Sequence, residues 1–488
     1  MILRTLILPF LHLERHAFPV ALWELRAKNV QQCRDPTVLP SNVKQPVRLF
    51  SRSLYVLLQL LFCAVTLTFL FLPDTSSADG STSNSRDKGL SSRPSTAVST
   101  STTQQSLIIS PDLDEFSQNP KLLDRILQGP HGYFRFINEI FAEEVCVRFQ
   151  DDLGWIPNVS LHGDAHLENY AITERGRGLT DFDDATLGPV VLDLVRFGVS
   201  IYLASRANGW EEEAQPIVDS FLSGYRAALD DPGLTIPPPE LVSRIRAHFT
   251  TDRALTLAAQ ETLMQPLGVR REEFKREIEQ YLDQMAEQHP ELPPHFFEIQ
   301  NAGRLKMGIG SALDEKYLFE IEGRTKARKD NVVLEMKEVR DLHEISCILA
   351  SEASPVRPIL MQARLAYQPY RYAGFVIFAL SKGDERDKTF WVHEWANNYR
   401  ELSIRTSFQT AADLHDIAYD AGVQLGLGHP KSIADSYSKH LRGRLLITVA
   451  ELRERLDRTI SDLTEQTIAA WKQFRVEAGK RKTRPHAK

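Results

Sequence analysis

A chain of 488 residues, 42% apolar and 25% charged, has the length and composition for a large two-lobed domain or for two to three smaller ones, each with a real core. Its net charge of −6 gives no basic signature, which argues against nucleic acid as the main partner. The four cysteines, Cys33, Cys63, Cys146 and Cys347, are widely spaced and form no CxxC pair, which argues against a disulfide framework or a zinc ribbon. Cys146 and Cys347 sit in apolar helical patterns and read as core packing.

Residues 1–53 form a mixed N-terminal segment, followed at 54–72 by LYVLLQLLFCAVTLTFLFL, an uncharged run long enough to cross a hydrocarbon core. It reads as a transmembrane helix or a signal h-region. Eight Lys and Arg precede it and three follow within the next twenty or so residues, so the positive-inside bias predicts a single-pass membrane protein with its folded domain outside the cytoplasm. Such a topology would part that domain from the cytoplasmic ATP pool. Residues 73–106 are Ser/Thr-rich with few large apolar side chains and read as a linker.

The folded part starts near Leu107. A helical lobe is expected over 107–303: apolar helical spacing at 112–150, a strand-loop-strand segment, an apolar helix opened by Pro189, then helices broken by IPPPE and HPELPPH. Strand-like runs begin near Arg304, so 304–400 reads as a β-rich lobe, with a helix over RDLHEISCILASE inside it. Long amphipathic helices and a basic tail fill 401–488. The fold class expected is α+β.

The chemistry concentrates at His162-Gly163-Asp164-Ala165-His166-Leu167-Glu168-Asn169 and, twelve residues beyond Asn169, at Asp181-Phe182-Asp183-Asp184. Phosphoryl transfer needs a carboxylate to orient the attacking hydroxyl and take its proton, and hard oxygen donors for magnesium. Asp164 fits the base, and Asn169 and Asp181 fit the metal ligands. A metal hydrolase using His162, Asp164 and His166 is a rival for the same motif. His162 and His166 read as braces of the loop. Asp193 and Arg196, one helical turn apart, are expected to pair with each other or with the loop backbone.

A phosphate hairpin and a strand lysine are also required, and neither precedes residue 162. Both follow it: Gly308-Ile309-Gly310-Ser311, whose glycines let backbone N–H groups approach phosphates, and Lys337 twenty-seven residues after Gly310. This order predicts a circularly permuted, two-lobed, protein-kinase-like fold, with Gly308, Gly310, Ser311 and Lys337 holding ATP and Glu344 or Glu352 pairing with the lysine. The cofactors expected are ATP and Mg2+, and the partners a nucleotide, a small-molecule or protein acceptor, and a membrane through residues 54–72. A kinase fold that binds nucleotide without transfer, and a nucleotidyl transferase on the same scaffold, are the alternatives.

The HGDxHxxN and DFD pattern resembles the motif of aminoglycoside phosphotransferases and choline kinases. HGDAHLENY, LTDFDDATLGPVVLDLVRF, MGIGSA and LEMKEV together resemble an uncharacterised bacterial family, domain of unknown function 2252, over roughly 110–435. The resemblance implies a protein-kinase-like fold and leaves the acceptor open. ANNYRELS departs from the basic segment that related chains carry after their hinge.

Overall fold

Proline and capping side chains set where the first helices begin. Asn119 accepts a hydrogen bond from the Leu122 amide and Pro120 takes the first turn of α1 (Pro120–Leu127), where a missing N–H costs nothing. Pro130 opens α2 (Pro130–Phe136), and α3 (Asn138–Phe149) follows. The structure is a computed structural model describing residues 107–111, 116, 119–268, 271–305, 309, 314–340, 342–348, 370–378, 388–432 and 435–482. The expectations for 1–106, and those for Gly308, Gly310, Ser311 and Glu352, lie outside the described residues. No described helix is long and apolar enough to cross a membrane.

Four short strands come next: β1 (Asn158–Leu161), β2 (Tyr170–Ile172), β3 (Arg177–Leu179) and β4 (Thr186–Pro189). β1 pairs antiparallel with β4, placing Leu161 opposite Thr186, and β2 pairs with β3, placing Tyr170 opposite Leu179. The loops 162–169 and 180–185 are therefore pinned at both ends and emerge side by side.

Helices α4 (Val191–Ala207), α5 (Ala214–Asp230), α6 (Glu240–Arg246) and α7 (Arg253–Glu261) follow. α4 is apolar on nearly every face and buried along most of its length, so it forms the axis of the helical core. Each large side chain it buries, such as Phe197, contributes roughly 1.5–3 kcal/mol.

A six-stranded antiparallel sheet then forms from β5 (Met264–Gln265), β6 (Ile299–Leu305), β7 (Lys316–Ile321), β8 (Val332–Glu338), β9 (Gly374–Phe378) and β10 (Lys388–Glu394), in the order β5-β6-β7-β8-β10-β9. Helix α8 (Arg271–Gln288) covers one face, where Phe274, Ile278 and Tyr281 meet Phe319, Leu334, Met336 and Val392. Alternation along β8 turns Glu335 and Lys337 to the other face. The strand character begins at Ile299, five residues before the expected change at Arg304.

β11 (Arg400–Glu401) joins β2, and α9 (Ala411–Gly428), α10 (Asp435–Glu451) and α11 (Arg453–Lys482) close the chain. A capping box of Thr410 and Asp413 starts α9, which lies so close along α5 that a Cβ on Gly422 would sit 2.0 Å from the Phe221 carbonyl oxygen. The architecture is α+β, as expected.

Two expectations are corrected. Cys146 and Cys347 form a disulfide, with Cα atoms 5.6 Å apart across a sequence separation of 201. The expected helix over RDLHEISCILASE is, at 342–348, a run of turns. Leu342, Ile345 and Ile348 have helix-like spacing, but they pack on the helical core from this turn, while the Ser346 amide donates to Glu143 on α3 at 2.7 Å.

Candidate functional site

The loop between β1 and β2 is held from beneath by α4. Asp193 accepts hydrogen bonds from the backbone amides of His162 (2.6 Å) and Gly163 (3.0 Å), and from His429 Nε2 at 3.1 Å. Tyr225 bonds the other nitrogen of His429 at 2.9 Å. Burial alone would raise the Asp193 carboxyl, but His429 and the loop amide hold it below its usual range. Of the two roles open to Asp193, the structure takes the loop backbone. Asp193→Asn keeps the shape but loses the charge facing three donors, so unfolding in urea should show a loss of ~3 kcal/mol.

Gly163 has φ +83, and a Cβ there would lie 1.8 Å from the Asp184 carbonyl oxygen, so only glycine lets the two loops touch. His162 places Nε2 2.9 Å from the Thr180 carbonyl and takes the Asp164 amide at Nδ1 (3.3 Å). Both its ring nitrogens are thus engaged within the loops, which removes it from the metal-hydrolase alternative and makes it a brace. Among the described residues no three His, Cys, Asp or Glu side chains form a metal-binding group.

Asp164 meets Arg196 through Nε at 2.6 Å and again through a terminal guanidinium nitrogen, and His166 Nε2 lies 3.5 Å away. Burial would raise this carboxyl; Arg196, then His166, hold it well below its usual range, so it is ionised. The Arg196 guanidinium lies 4.3 Å over the Phe134 ring, which fixes it from α2. Asn169 donates Nδ2 to the Asp164 carbonyl at 2.9 Å, which leaves its amide oxygen as the end suited to a hard cation.

Asp181 adopts left-handed backbone (φ 70), an uncommon conformation for a residue with a side chain, of the kind that clusters at functional sites. Its carboxylate contacts Lys337 Nζ, and Asp183 lies 3.2 Å from the same nitrogen. Burial lowers Lys337 to about 8 and, with repulsion from Asp184, raises Asp183 to about 8. Burial favours the neutral pair, while the ammonium's contact with two carboxylates favours the charged one. Asp184 accepts from Asn138 Nδ2 at 3.1 Å, and Arg340 Nε lies 3.5 Å from it and 2.9 Å from Asp314. Arg340 also donates its amide to the Asp183 carbonyl at 3.1 Å, tying the end of β8 to this loop.

The structure thus brings Asp164 to Asn169 and Lys337 to Asp181. Glu344 lies in the turn segment, and the described partners of Lys337 are Asp181 and Asp183 rather than a glutamate from a following helix. A cleft of ≈ 420 Å³ opens beside Lys337 and Asp181, bounded also by Glu335, Tyr370, His393 to Ala396, Tyr399 and Glu401. The segment Trp395–Glu401 supplies much of that wall.

Residues 119–265 match a family described as an uncharacterized protein conserved in bacteria, DUF2252. The matched stretch contains the HGD loop, the DFDD loop and α4, and it ends at β5. MGIGSA, LEMKEV and Lys337 lie beyond it. No curated protein and no solved structure matches the chain.

The pairings of Arg196 with Asp164, of Lys337 with Asp183, and of Cys146 with Cys347 were missed in the sequence. Each joins residues at least 32 positions apart, and no local pattern marks such a pair.

Proposed function

We propose that this chain is an ATP- and magnesium-dependent phosphotransferase of kinase-like, circularly permuted fold, acting on a hydroxyl acceptor. The observation that carries it is the meeting of Lys337 and Asp181 beside the Asp164–Asn169 loop. Kinase chemistry asks for a lysine on the third strand of a nucleotide lobe, a glycine hairpin between the first two, a metal-binding aspartate and a loop carrying base and asparagine. β6, β7 and β8 pair in succession, Lys337 is on the third, and Gly308–Ser311 falls in the β6–β7 connection. The order along the chain, HGD loop first and sheet second, is the permutation.

Asn169 and Asp181 offer two hard oxygen ligands, a donor set that suits Mg2+ because phosphates and water complete its coordination. When bound, the ion would neutralise phosphate charge in a cleft otherwise rich in carboxylates. Asp164 orients the acceptor hydroxyl and takes its proton as the bond to phosphorus forms, a weak base because Arg196 holds the carboxyl well below its usual range.

A nucleotide-binding module without transfer is the second reading, favoured by the capture of Asp164 by Arg196. Thermal shift with ATP, with and without magnesium, followed by product analysis separates the readings. Ligand at about a hundredfold excess over Kd adds about 2.7 kcal/mol to stability. We expect a magnesium-dependent shift, weakened in Asp181→Ala, and ADP as product. A shift without turnover supports the binding module, AMP or pyrophosphate supports nucleotidyl transfer, and no shift at millimolar ATP removes the nucleotide reading.

The disulfide supports placing the domain outside the cytoplasm, where such bonds persist, and there the phosphotransferase reading requires nucleotide supplied from outside the cytoplasmic pool. A C-terminal reporter fusion active only in the cytoplasm would overturn that placement.

A further inference from the structure

Helix α2 carries a cationic residue that the HGD and DFDD motifs do not include. Arg135 donates through one terminal nitrogen to Glu168 at 3.0 Å, inside the HGD loop. Its Nε is buried and has no hydrogen-bond partner, while its side chain keeps 14% exposure. Glu168 is already served by the Ile404 amide at 3.2 Å, with His131 Nε2 3.6 Å away. An arginine kept only to neutralise Glu168 would leave that buried donor unmet, which is costly.

The surroundings tie Arg135 to the HGD loop. From Glu168, His131 and His166 stack edge-on with centroids 5.6 Å apart, and His166 reaches Asp164 at 3.5 Å. Arg135 is near enough that its charge is felt at His131, His166, Asp164, Arg196 and Lys337. Both histidines are held neutral chiefly by burial, at about 3 and about 4, so the mobile charge here is carried by the guanidiniums. Lys337 is committed to Asp181 and Asp183 and Arg340 to Asp184 and Asp314, while Arg196, held by Asp164, keeps one terminal nitrogen without a hydrogen bond. The cleft wall adds Glu335, Glu394 and Glu401. A phosphoryl group in flight spreads negative charge over three oxygens, and this carboxylate-rich site needs a further cation with spare donors.

We propose that Arg135 is a catalytic residue that donates to the transferred phosphoryl group in the transition state. This rests on the phosphotransferase reading above. In that step the acceptor oxygen forms a bond to the γ-phosphorus and the bond from phosphorus to the β–γ bridging oxygen breaks. Its electron pair leaves with ADP, and the acceptor proton passes to the Asp164 carboxylate. Arg135 forms no covalent bond and loses no proton; it offsets the charge.

The test uses the full chain and needs no known acceptor. Calorimetry compares MgADP with MgADP plus aluminium fluoride, a mimic of the phosphoryl in flight, for wild type, Arg135→Ala and Arg135→Lys. Wild type should bind the mimic at least about a hundredfold tighter than MgADP alone, since transition-state analogues gain 10²-fold or more. Arg135→Ala should keep its MgADP affinity and lose most of that gain, and Arg135→Lys should recover part of it. A gain equal to wild type in Arg135→Ala overturns the proposal, as does the lack of any gain in wild type. Loss of MgADP binding in both variants would make Arg135 a structural residue. Failure of wild type to bind MgADP would strike the nucleotide reading itself.

Discussion

Asp164→Ala should lower turnover by about 10²–10⁴-fold, the usual range for removing a group that orients and deprotonates the nucleophile. Nucleotide affinity should change far less, because this carboxylate matters most when the acceptor attacks. The alanine variant also has a structural cost. Arg196 is 2% exposed and its carboxylate partner is Asp164. Removing one member of a buried ion pair strands the other and costs about 3–5 kcal/mol. Asp164→Asn is the better probe, since its amide oxygen still faces the guanidinium while the negative charge is gone. A folded Asp164→Asn protein that binds MgATP and turns over at the wild-type rate would sink the assignment of Asp164. A variant that loses both folding and binding would show only that the Arg196 pair matters for stability.

The parts of the site that were legible in the sequence are those whose chemistry lies within one loop or between adjacent hairpin strands. Asp164 and Asn169 are five residues apart, and the peptide geometry of one turn brings the amide to the Asp164 carbonyl. Strands β7, β8, β9 and β10 were legible as short apolar and aromatic runs bounded by turns, while β6 begins before the expected change at Arg304. Lys337 could be singled out as a strand lysine, but its second carboxylate, Asp183, could not. Arg135 sits in GPHGYFRF, where its spacing gives no sign that it reaches Glu168. RDLHEISCILASE was misread because Leu342, Ile345 and Ile348 repeat at three residues, and periodicity alone does not separate a helix face from turns packed on a helix. Cysteine spacing carried no information about the bridge, because it is the packing of the segment after β8 on α3 that brings the sulfurs together.

That bridge leads to the largest expected change in stability. Cross-linking residues separated by 201 positions removes loop entropy from the unfolded chain, on the order of 5 kcal/mol by the chain-entropy relation. Reduction, or the double variant Cys146→Ala/Cys347→Ala, should therefore lower the urea midpoint substantially and steepen the slope, because the unfolded chain without the cross-link is less compact, provided unfolding remains a single transition. The segment 342–348 would still have Leu342, Ile345 and Ile348 packed on the helical core and the Ser346–Glu143 hydrogen bond, so the native fold should survive in weakened form. Thiol labelling of the unfolded protein before and after reduction establishes that Cys146 and Cys347 are the residues bridged. Equal urea midpoints for oxidised and reduced protein would contradict the entropic argument. Free thiols at both positions in protein isolated from its native compartment would remove the bridge, and with it the support it lends to a site of action outside the cytoplasm.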